Sequence, residues 1–140
     1  MYMKPALDQF EVVGGRGFFR PAGHMSLAEA VARVDAAIAY ARAQAIKELL
    51  VNGILVTGFD PPSLSERYFL AEKWALTARG ALRMAVVVRP EMIDPEKFGV
   101  TVAFNRRLIA DVFVDERPAV EWLNRRATRP HRVVRPYANT

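Results

Sequence analysis

The stretch that most constrains the fold of this chain is residues 48–67. Its first half is a continuous apolar run rich in β-branched residues, which is typical of a strand covered on both faces. Asn52-Gly53 interrupts the run and predicts a bulge or an early end of the strand. A turn with two prolines follows, and an amphipathic pattern begins at Leu64. A buried strand that leads directly into a helix is the repeating unit of α/β sheets, so this stretch predicts that class.

Two serine–glutamate pairs, three residues apart, predict the starts of two helices. Ser26 with Glu29 and Ser63 with Glu66 each match the capping box, in which both side chains bond to the backbone of the first turn. The apolar stripes that follow are Leu27, Val31, Val34, Ile38, Ala41 and Ala45, and then Leu64, Tyr68, Ala71, Ala75 and Ala78. Alanine-rich stripes favour close packing on a sheet over a dimer seam. Gly80 is expected to end the second helix.

The remaining segments alternate between strand and helix patterns. Two β-prone runs flank the glycine-rich residues 14–17 and predict a hairpin, because a phosphate-binding loop would need a helix directly after the glycines. Strands are predicted over 82–88 and 111–114. Asp94-Pro95 predicts a helix start, so we choose helix for the ambiguous run 98–104, and Asp115 is predicted to cap a last helix.

The resulting order, β-β-α-β-α-β-α-β-α, predicts an α/β fold. We expect a single mixed, mostly parallel sheet of about five strands, covered by about four helices. With 140 residues in the chain, one domain over residues 1–124 accounts for the predicted elements.

The composition is that of an ordinary globular protein, with 51% hydrophobic and 25% charged residues. No apolar run approaches the roughly 18 to 20 residues that a membrane-spanning helix needs. The first residues lack the apolar stretch of a secretory signal. The chain has no cysteine, which excludes disulfides and thiol chemistry. We therefore expect a cytoplasmic protein.

The net charge of +5 lies at the end of the chain. Residues 1–123 carry 15 lysines and arginines and 15 acids, whereas residues 125–140 carry five arginines and no acid. The sequence thus predicts a neutral domain followed by a basic, flexible tail over residues 125–140. No nucleic-acid binding is expected except through this tail, whose run of cations can attract phosphates.

No group of residues has the pattern of a catalytic or metal site. Catalysis by Ser63 would need a histidine beside it. Only His24 of the two histidines lies within the predicted domain, and a triad of Asp60, Ser63 and His24 is disfavoured. The acids at 94–96 and 115–116 are explained by helix starts, where negative charge is favourable. We predict no enzymatic activity, no cofactor and no metal.

The loop over residues 60–65 is the candidate functional site, and two interpretations of its serines stay open. In the first, Ser63 is a helix cap and Ser65 is a solvated neighbour. In the second, either serine is a phosphorylation or docking site, because a phosphate would change the surface charge next to Asp60. Loops after parallel strands gather at one end of a sheet, so Arg89 and Asn105 are further candidate ligand-binding residues beside Asp60 and Ser63.

A set of segments carries a resemblance to a known family: residues 49–63, 66–68, 86–99, 105–106, 112–115 and 121–123. Across roughly residues 10–124, the chain resembles the anti-sigma-factor-antagonist-like (STAS, SpoIIAA-like) domains. More narrowly, it is similar to the bacterial group labelled STAS/SEC14-like. The resemblance implies a single mixed sheet covered by helices, and a role in protein–protein regulation rather than catalysis.

The resemblance also implies a phosphorylation site. In the antagonists, a partner kinase phosphorylates a serine at the helix start after the central strand, just beyond an aspartate. The matching positions here are Asp60 and Ser63, followed by Ser65. Where the antagonists have Asp-Ser-Ser-Gly, this chain has Asp60-Pro61-Pro62-Ser63 and no glycine.

Two functional hypotheses follow. The first is a non-enzymatic regulatory module that docks a protein partner, with a homodimer among the options, through loop 60–65 and the helix after it. The alternative is a domain that binds a small ligand, a nucleotide or a lipid, in a pocket at the C-terminal ends of the strands.

Overall fold

The computed structural model describes residues 7–125 of the chain. Its strands are β1 (Phe10–Val13), β2 (Arg16–Phe19), β3 (Gly23–His24), β4 (Glu48–Asn52), β5 (Val56–Thr57), β6 (Arg83–Val87) and β7 (Ile109–Phe113). Its helices are α1 (Leu27–Ala43), α2 (Leu64–Ala78), α3 (Phe98–Asn105) and α4 (Glu116–Asn124), with a 3₁₀ turn at Pro90–Met92. The predicted basic tail lies outside the described residues except for Arg125.

One mixed sheet of five strands, in the order β1-β2-β4-β6-β7, is the centre of the fold. The first strand is antiparallel to the second, and the remaining neighbours are parallel. The α/β class and the mostly parallel five-stranded sheet are therefore confirmed. The hairpin predicted around residues 14–17 is the β1–β2 pair.

The two faces of the sheet bury different side chains, as the alternation of a strand requires. Leu49 and Val51 of β4 pack against α1, α2 and α3, whereas Leu50 packs against α4. Neighbouring β6 follows the same rule, with Met84 on the three-helix face and Ala85 on the face that α4 covers. Helices cover both faces of the sheet, which explains why the sequences of these strands are continuous apolar runs.

The parallel strands follow one another in chain order across the sheet, and helices α1 to α3 return on the same face. Each crossover therefore leaves the sheet at the C-terminal end of one strand and re-enters at the N-terminal end of the next. The loops at 20–26, 53–63 and 88–97 gather at the C-terminal end, which we call the upper edge of the sheet.

A second, two-stranded parallel sheet of β3 and β5 lies in these loops, and the sequence patterns did not predict it. The predicted interruption at Asn52-Gly53 separates β5 from β4. Gly58, directly after β5, has φ +118°, and a Cβ atom there would collide with the carbonyl oxygen of Met25. Only glycine allows this close approach of two backbones.

The helix start predicted with Asp94 as the cap and Pro95 as the first helical residue is wrong by three residues, because α3 begins at Phe98. Residues 94–97 form a turn instead, in which the Lys97 N–H donates to the carbonyl of Asp94 at 2.9 Å. The backbone of Lys97 has the left-handed conformation, with φ 51°, so a right-handed helix cannot extend back through it. The Asp94 carboxylate still accepts from the Phe98 N–H at 2.8 Å. The choice of helix for residues 98–104 is confirmed.

The two predicted capping boxes differ in the structure. At α2 both hydrogen bonds are present: Ser63 Oγ accepts from the Glu66 N–H at 3.2 Å, and Glu66 accepts from the Ser63 N–H at 2.8 Å. At α1 only Ser26 accepts from the backbone of Glu29, whose carboxylate is bonded to Arg33 instead. No helix within residues 7–125 is long and apolar enough to cross a membrane.

Candidate functional site

An apolar cavity of about 190 Å³ lies between the upper half of the sheet and helices α1, α2 and α3. Apolar side chains from all three helices and from three parallel strands line it, among them Val34, Val51, Leu70, Trp74, Val86 and Ala103. The lining continues into the upper-edge loops through Phe59, Pro62 and Met92. The cavity therefore opens where α/β sheets commonly bind ligands.

Small residues on the helices explain why space remains over the sheet. Ala71 of α2 and Ala103 of α3 are buried and face the cavity, so the helix backbones stand over the strands without long side chains to fill the gap. The effect is visible on β6: Val87 is completely buried against α4, whereas Val86, which faces the cavity, is only half-buried. Interiors are normally packed without such gaps.

Trp74 forms one wall of the cavity. Its indole Nε1–H donates to the carbonyl oxygen of Val31 in α1 at 3.1 Å. This bond satisfies the one polar group of the side chain, so the ring can present its apolar surface to the cavity. It also fixes the spacing between α1 and α2.

Two arginines hold the loops at the mouth of the cavity. Arg89 Nη1 donates to the carbonyl oxygens of Ile54 at 3.0 Å and Val56 at 2.8 Å. Arg67 donates to the carbonyl oxygens of Pro62 at 2.9 Å and Met92 at 3.1 Å. Guanidinium groups suit this role because they present several donors in a fixed plane.

The other charged groups of the lining also have partners within the protein. Lys97 Nζ lies 2.9 Å from Asp111 Oδ1, and Arg33 is paired with Glu29 at 2.8 Å. The pKa of Asp94 lies below its usual value, first because the Phe98 N–H donates to its carboxylate. The charged groups at the mouth therefore stabilise the loops, and the interior offers an apolar surface to a ligand.

The residues predicted to form the site are divided among three places. Arg89 lines the cavity, whereas Asp60, Ser63 and Ser65 are exposed and outside its lining. Asn105 is the last residue of α3, at the N-terminal end of the strands, because α3 runs away from the upper edge. The structure therefore does not bring Asn105 together with the other four.

Several residues at this site were not singled out from the sequence. Arg67 and Trp74 lie within the helical pattern of α2, where an arginine and a tryptophan are ordinary. Their roles depend on the loop carbonyls and on α1, which come from distant parts of the chain. The one local signal was the run of alanines on the inward faces of the helices.

A second polar cluster at the upper edge lies on the α4 side of the sheet. Arg20 donates to both carboxylate oxygens of Glu116, at 2.7 and 3.0 Å, and Asn52 Nδ2 donates to Glu116 Oε2 at 2.8 Å. The hydrogen bonds from Arg20, the largest cause, and those from Asn52 lower the pKa of Glu116. The cluster ties the ends of β2 and β4 to the first residue of α4.

The structure also describes the residues considered for catalysis and metal binding. His24 Nδ1 lies 3.4 Å from Thr57 Oγ1, across the β3–β5 pair, and both residues are exposed. Within the part of the chain that the structure describes, no group of three or more histidines and acids is arranged to hold a metal ion.

A scan of the chain against protein-family models finds no match, and neither does a search of curated proteins. The resemblance to STAS domains rests on the segments quoted above and stays a prediction. The site is therefore interpreted from its own geometry.

Proposed function

We propose that this protein is a non-enzymatic domain that binds a small, apolar ligand in the cavity beneath α1, α2 and α3. The observation that supports this most is the cavity itself: about 190 Å³ of space at the C-terminal ends of parallel strands, lined by apolar side chains. Engineered cavities of about 150 Å³ with such linings stay dry and bind benzene. The space is thus sufficient for one ring or a short alkyl segment.

The lining favours a lipid-like group over a nucleotide. A nucleotide would need donors for its phosphates, and the arginines at the mouth already donate to loop carbonyls. Breaking those bonds would leave buried carbonyl oxygens without partners, which costs about 1–3 kcal/mol for each. An apolar group requires no such exchange, and its affinity comes from the surface it removes from water.

Thermal unfolding with benzene as the probe tests this proposal. Binding to the folded state alone raises stability by about 1.4 kcal/mol at ten times Kd, or by about 4 °C in Tm. Val86→Phe fills the cavity from the floor and should abolish this shift. Leu76→Phe introduces the same side chain at a position that is 69% exposed and should retain it.

The variants also test the cavity without a ligand. Introducing a larger residue into a filled core costs about 1–3 kcal/mol, so Val86→Phe should be nearly neutral only if the space exists. No benzene-induced shift in the unsubstituted protein, or an equal shift in Val86→Phe, would contradict the proposal. AMP serves as the polar comparator and should produce no shift.

A second candidate function is the regulatory module that docks a partner through α2. Phe69 is 63% exposed and Leu76 is 69% exposed. They are seven residues apart and so lie on one face of the helix, and Ser65, four residues before Phe69, extends the same face. The opposite side of α2 carries Trp74, so one helix separates the cavity from the exposed face.

The version that we propose for this second function is a symmetric homodimer, in which the α2 faces of two copies meet. In such a dimer the same apolar surface of two copies meets across a twofold axis, so no other partner is needed to cover it. Sedimentation analysis should then show a dimer that Phe69→Ser/Leu76→Ser converts to a monomer. The control is Val12→Ser/Val13→Ser, which removes two exposed valines from β1. A monomer at every concentration would contradict this version.

A further inference from the structure

A cleft of about 520 Å³ lies at the lower edge of the sheet, where the parallel strands begin. It is formed by the starts of β4, β6 and β7 and by the end of α4. Four cations, Lys47, Arg83, Arg107 and Arg125, line it together with one carboxylate, Glu48. The neutral charge balance of the domain therefore conceals a local excess of positive charge.

The single carboxylate is already neutralised. Glu48 Oε1 accepts from Arg16 at 2.6 Å, and Glu48 Oε2 accepts from Arg83 at 2.8 Å. Arg83 also donates to the carbonyl of Leu123, so it belongs to the framework that holds α4 to the sheet. Arg83 and Glu48 line the cleft, and Arg16 holds Glu48 from outside the lining.

Three cations remain available to a ligand. Among residues 7–125, the side chains of Lys47, Arg107 and Arg125 have neither a hydrogen-bond acceptor nor an ion-pair partner, and all three are exposed. Arg107 lies over Gly80, where an added Cβ would be 3.3 Å from its Nη2. The absence of a side chain at Gly80 leaves room for the guanidinium beside the cleft.

The positive charge continues beyond the cleft along the sequence. Arg125, in the lining, is followed by Arg126, Arg129, Arg132 and Arg135, and the last 16 residues contain no acid. An isolated phosphate would occupy the cleft alone. Within the described residues, the three unpaired cations of the cleft come from three separate places in the chain, so a repeating polyanion can contact them with successive phosphates, and each neutralised phosphate releases condensed counterions.

We propose that the cleft binds the phosphate backbone of single-stranded nucleic acid, independently of sequence. Single strands are preferred because, within residues 7–125, the starts of strands, the end of α4 and loops line the cleft, and no helix side lines it that would enter a duplex major groove. The cleft is at the opposite edge from the apolar cavity, so this site does not depend on the proposed function.

Fluorescence anisotropy with a labelled oligothymidylate of about 20 nucleotides tests this site in the full chain. For single strands, log K falls with log salt at about −0.7 for each phosphate contacted. Lys47→Gln/Arg107→Gln should make the slope shallower by about 1.4 and weaken binding roughly 25-fold at 0.1 M KCl. The matched control, Lys73→Gln/Arg117→Gln, removes the same charges from α2 and α4 and should change binding less than about 2-fold.

A further variant separates the cleft from the arginines that follow it. Replacing Arg126, Arg129, Arg132 and Arg135 with Gln should leave binding that still depends on Lys47 and Arg107. The proposal is overturned if the cleft variant binds like the unsubstituted protein, or if the control loses as much. Tighter binding to phosphatidylserine vesicles than to the oligonucleotide at the same salt, lost in the same cleft variant, would assign the site to membranes instead.

Discussion

Arg89 Nη1 lies 2.8 Å from the carbonyl oxygen of Val56, and the same nitrogen also donates to Ile54. One side chain from the end of β6 thereby fixes the segment that connects β4 to the loop above the cavity. The sequence had suggested Arg89 as a ligand contact. Its geometry assigns it to the mouth of the cavity, where it holds the wall in place.

Arg89→Met should destabilise the protein by about 2 kcal/mol, because hydrogen bonds from a charged donor contribute about 1.5–3 kcal/mol. Chemical denaturation measures this loss. Arg33→Met removes another cation of the lining, but its pair with Glu29 is solvent-exposed, so the loss should stay below about 0.5 kcal/mol. Equal losses in the two variants would contradict the role of Arg89.

Gly58→Ala should destabilise the protein by about 2 kcal/mol or more. The position has φ +118°, and the new methyl would meet the backbone of Met25. Gly53→Ala is the matched control in the same loop region, because the nearest atom to its added Cβ is 3.9 Å away. Thermal unfolding of the two variants compares them directly. A smaller loss at Gly58 than at Gly53 would mean that the β3–β5 pair is not formed as described.

Much of the framework could be predicted because its signals are local. The capping box at Ser63 and the interruption at Asn52-Gly53 involve residues within three positions of each other, and both are present. The cavity was not predictable in this way. Its volume depends on how closely alanines of α2 and α3 approach β6, and on contacts between helices that are distant in sequence, such as Trp74 with Val31.

Two differences between prediction and structure have clear physical reasons. Asp94-Pro95 has the residues of a helix start. The backbone of Lys97, however, has the left-handed conformation, so residues 94–97 form a turn and α3 begins after it. Asn105 was grouped with the loops that follow the parallel strands, yet it ends α3, which has carried the chain to the lower edge. A residue at the end of a crossover helix lies at the edge opposite to the C-terminal ends of the strands. The prediction of the site had not taken the direction of α3 into account.

Ser63→Ala should cost about 1 kcal/mol, because it removes the side chain that accepts from the Glu66 N–H. Ser65→Ala, two residues into the same turn, should change the stability by less than about 0.5 kcal/mol, as exposed substitutions usually do. Urea denaturation gives both values. The comparison also serves as a control for phosphorylation experiments. A functional effect of Ser63→Ala that exceeds what its loss of stability explains would point to a regulatory role.

Glu116→Gln should reduce the stability in a pH-dependent way. The pKa of Glu116 in the folded protein lies below its ordinary 4.5, first because of hydrogen bonds from Arg20. The stability from its charge is therefore complete above about pH 4.5 and is lost as the pH falls through the lower, folded-state pKa.

The difference between the unsubstituted protein and Glu116→Gln should thus be largest at neutral pH and shrink below about pH 4.5. Denaturation curves across this range measure it. Glu121→Gln, at a side chain that is 65% exposed, should show a small difference at every pH. A difference for Glu116 that grows on acidification would have the wrong sign for this assignment.

The most direct test of the apolar cavity is a titration with benzene followed by methyl NMR. The methyl signals of Leu70, Val86 and Ala103, which line the cavity, should shift together with one Kd. Those of Leu50, Val87 and Ala119, on the face that α4 covers, should not move. Benzene-dependent shifts that are absent, or that occur equally on both faces, would contradict the account.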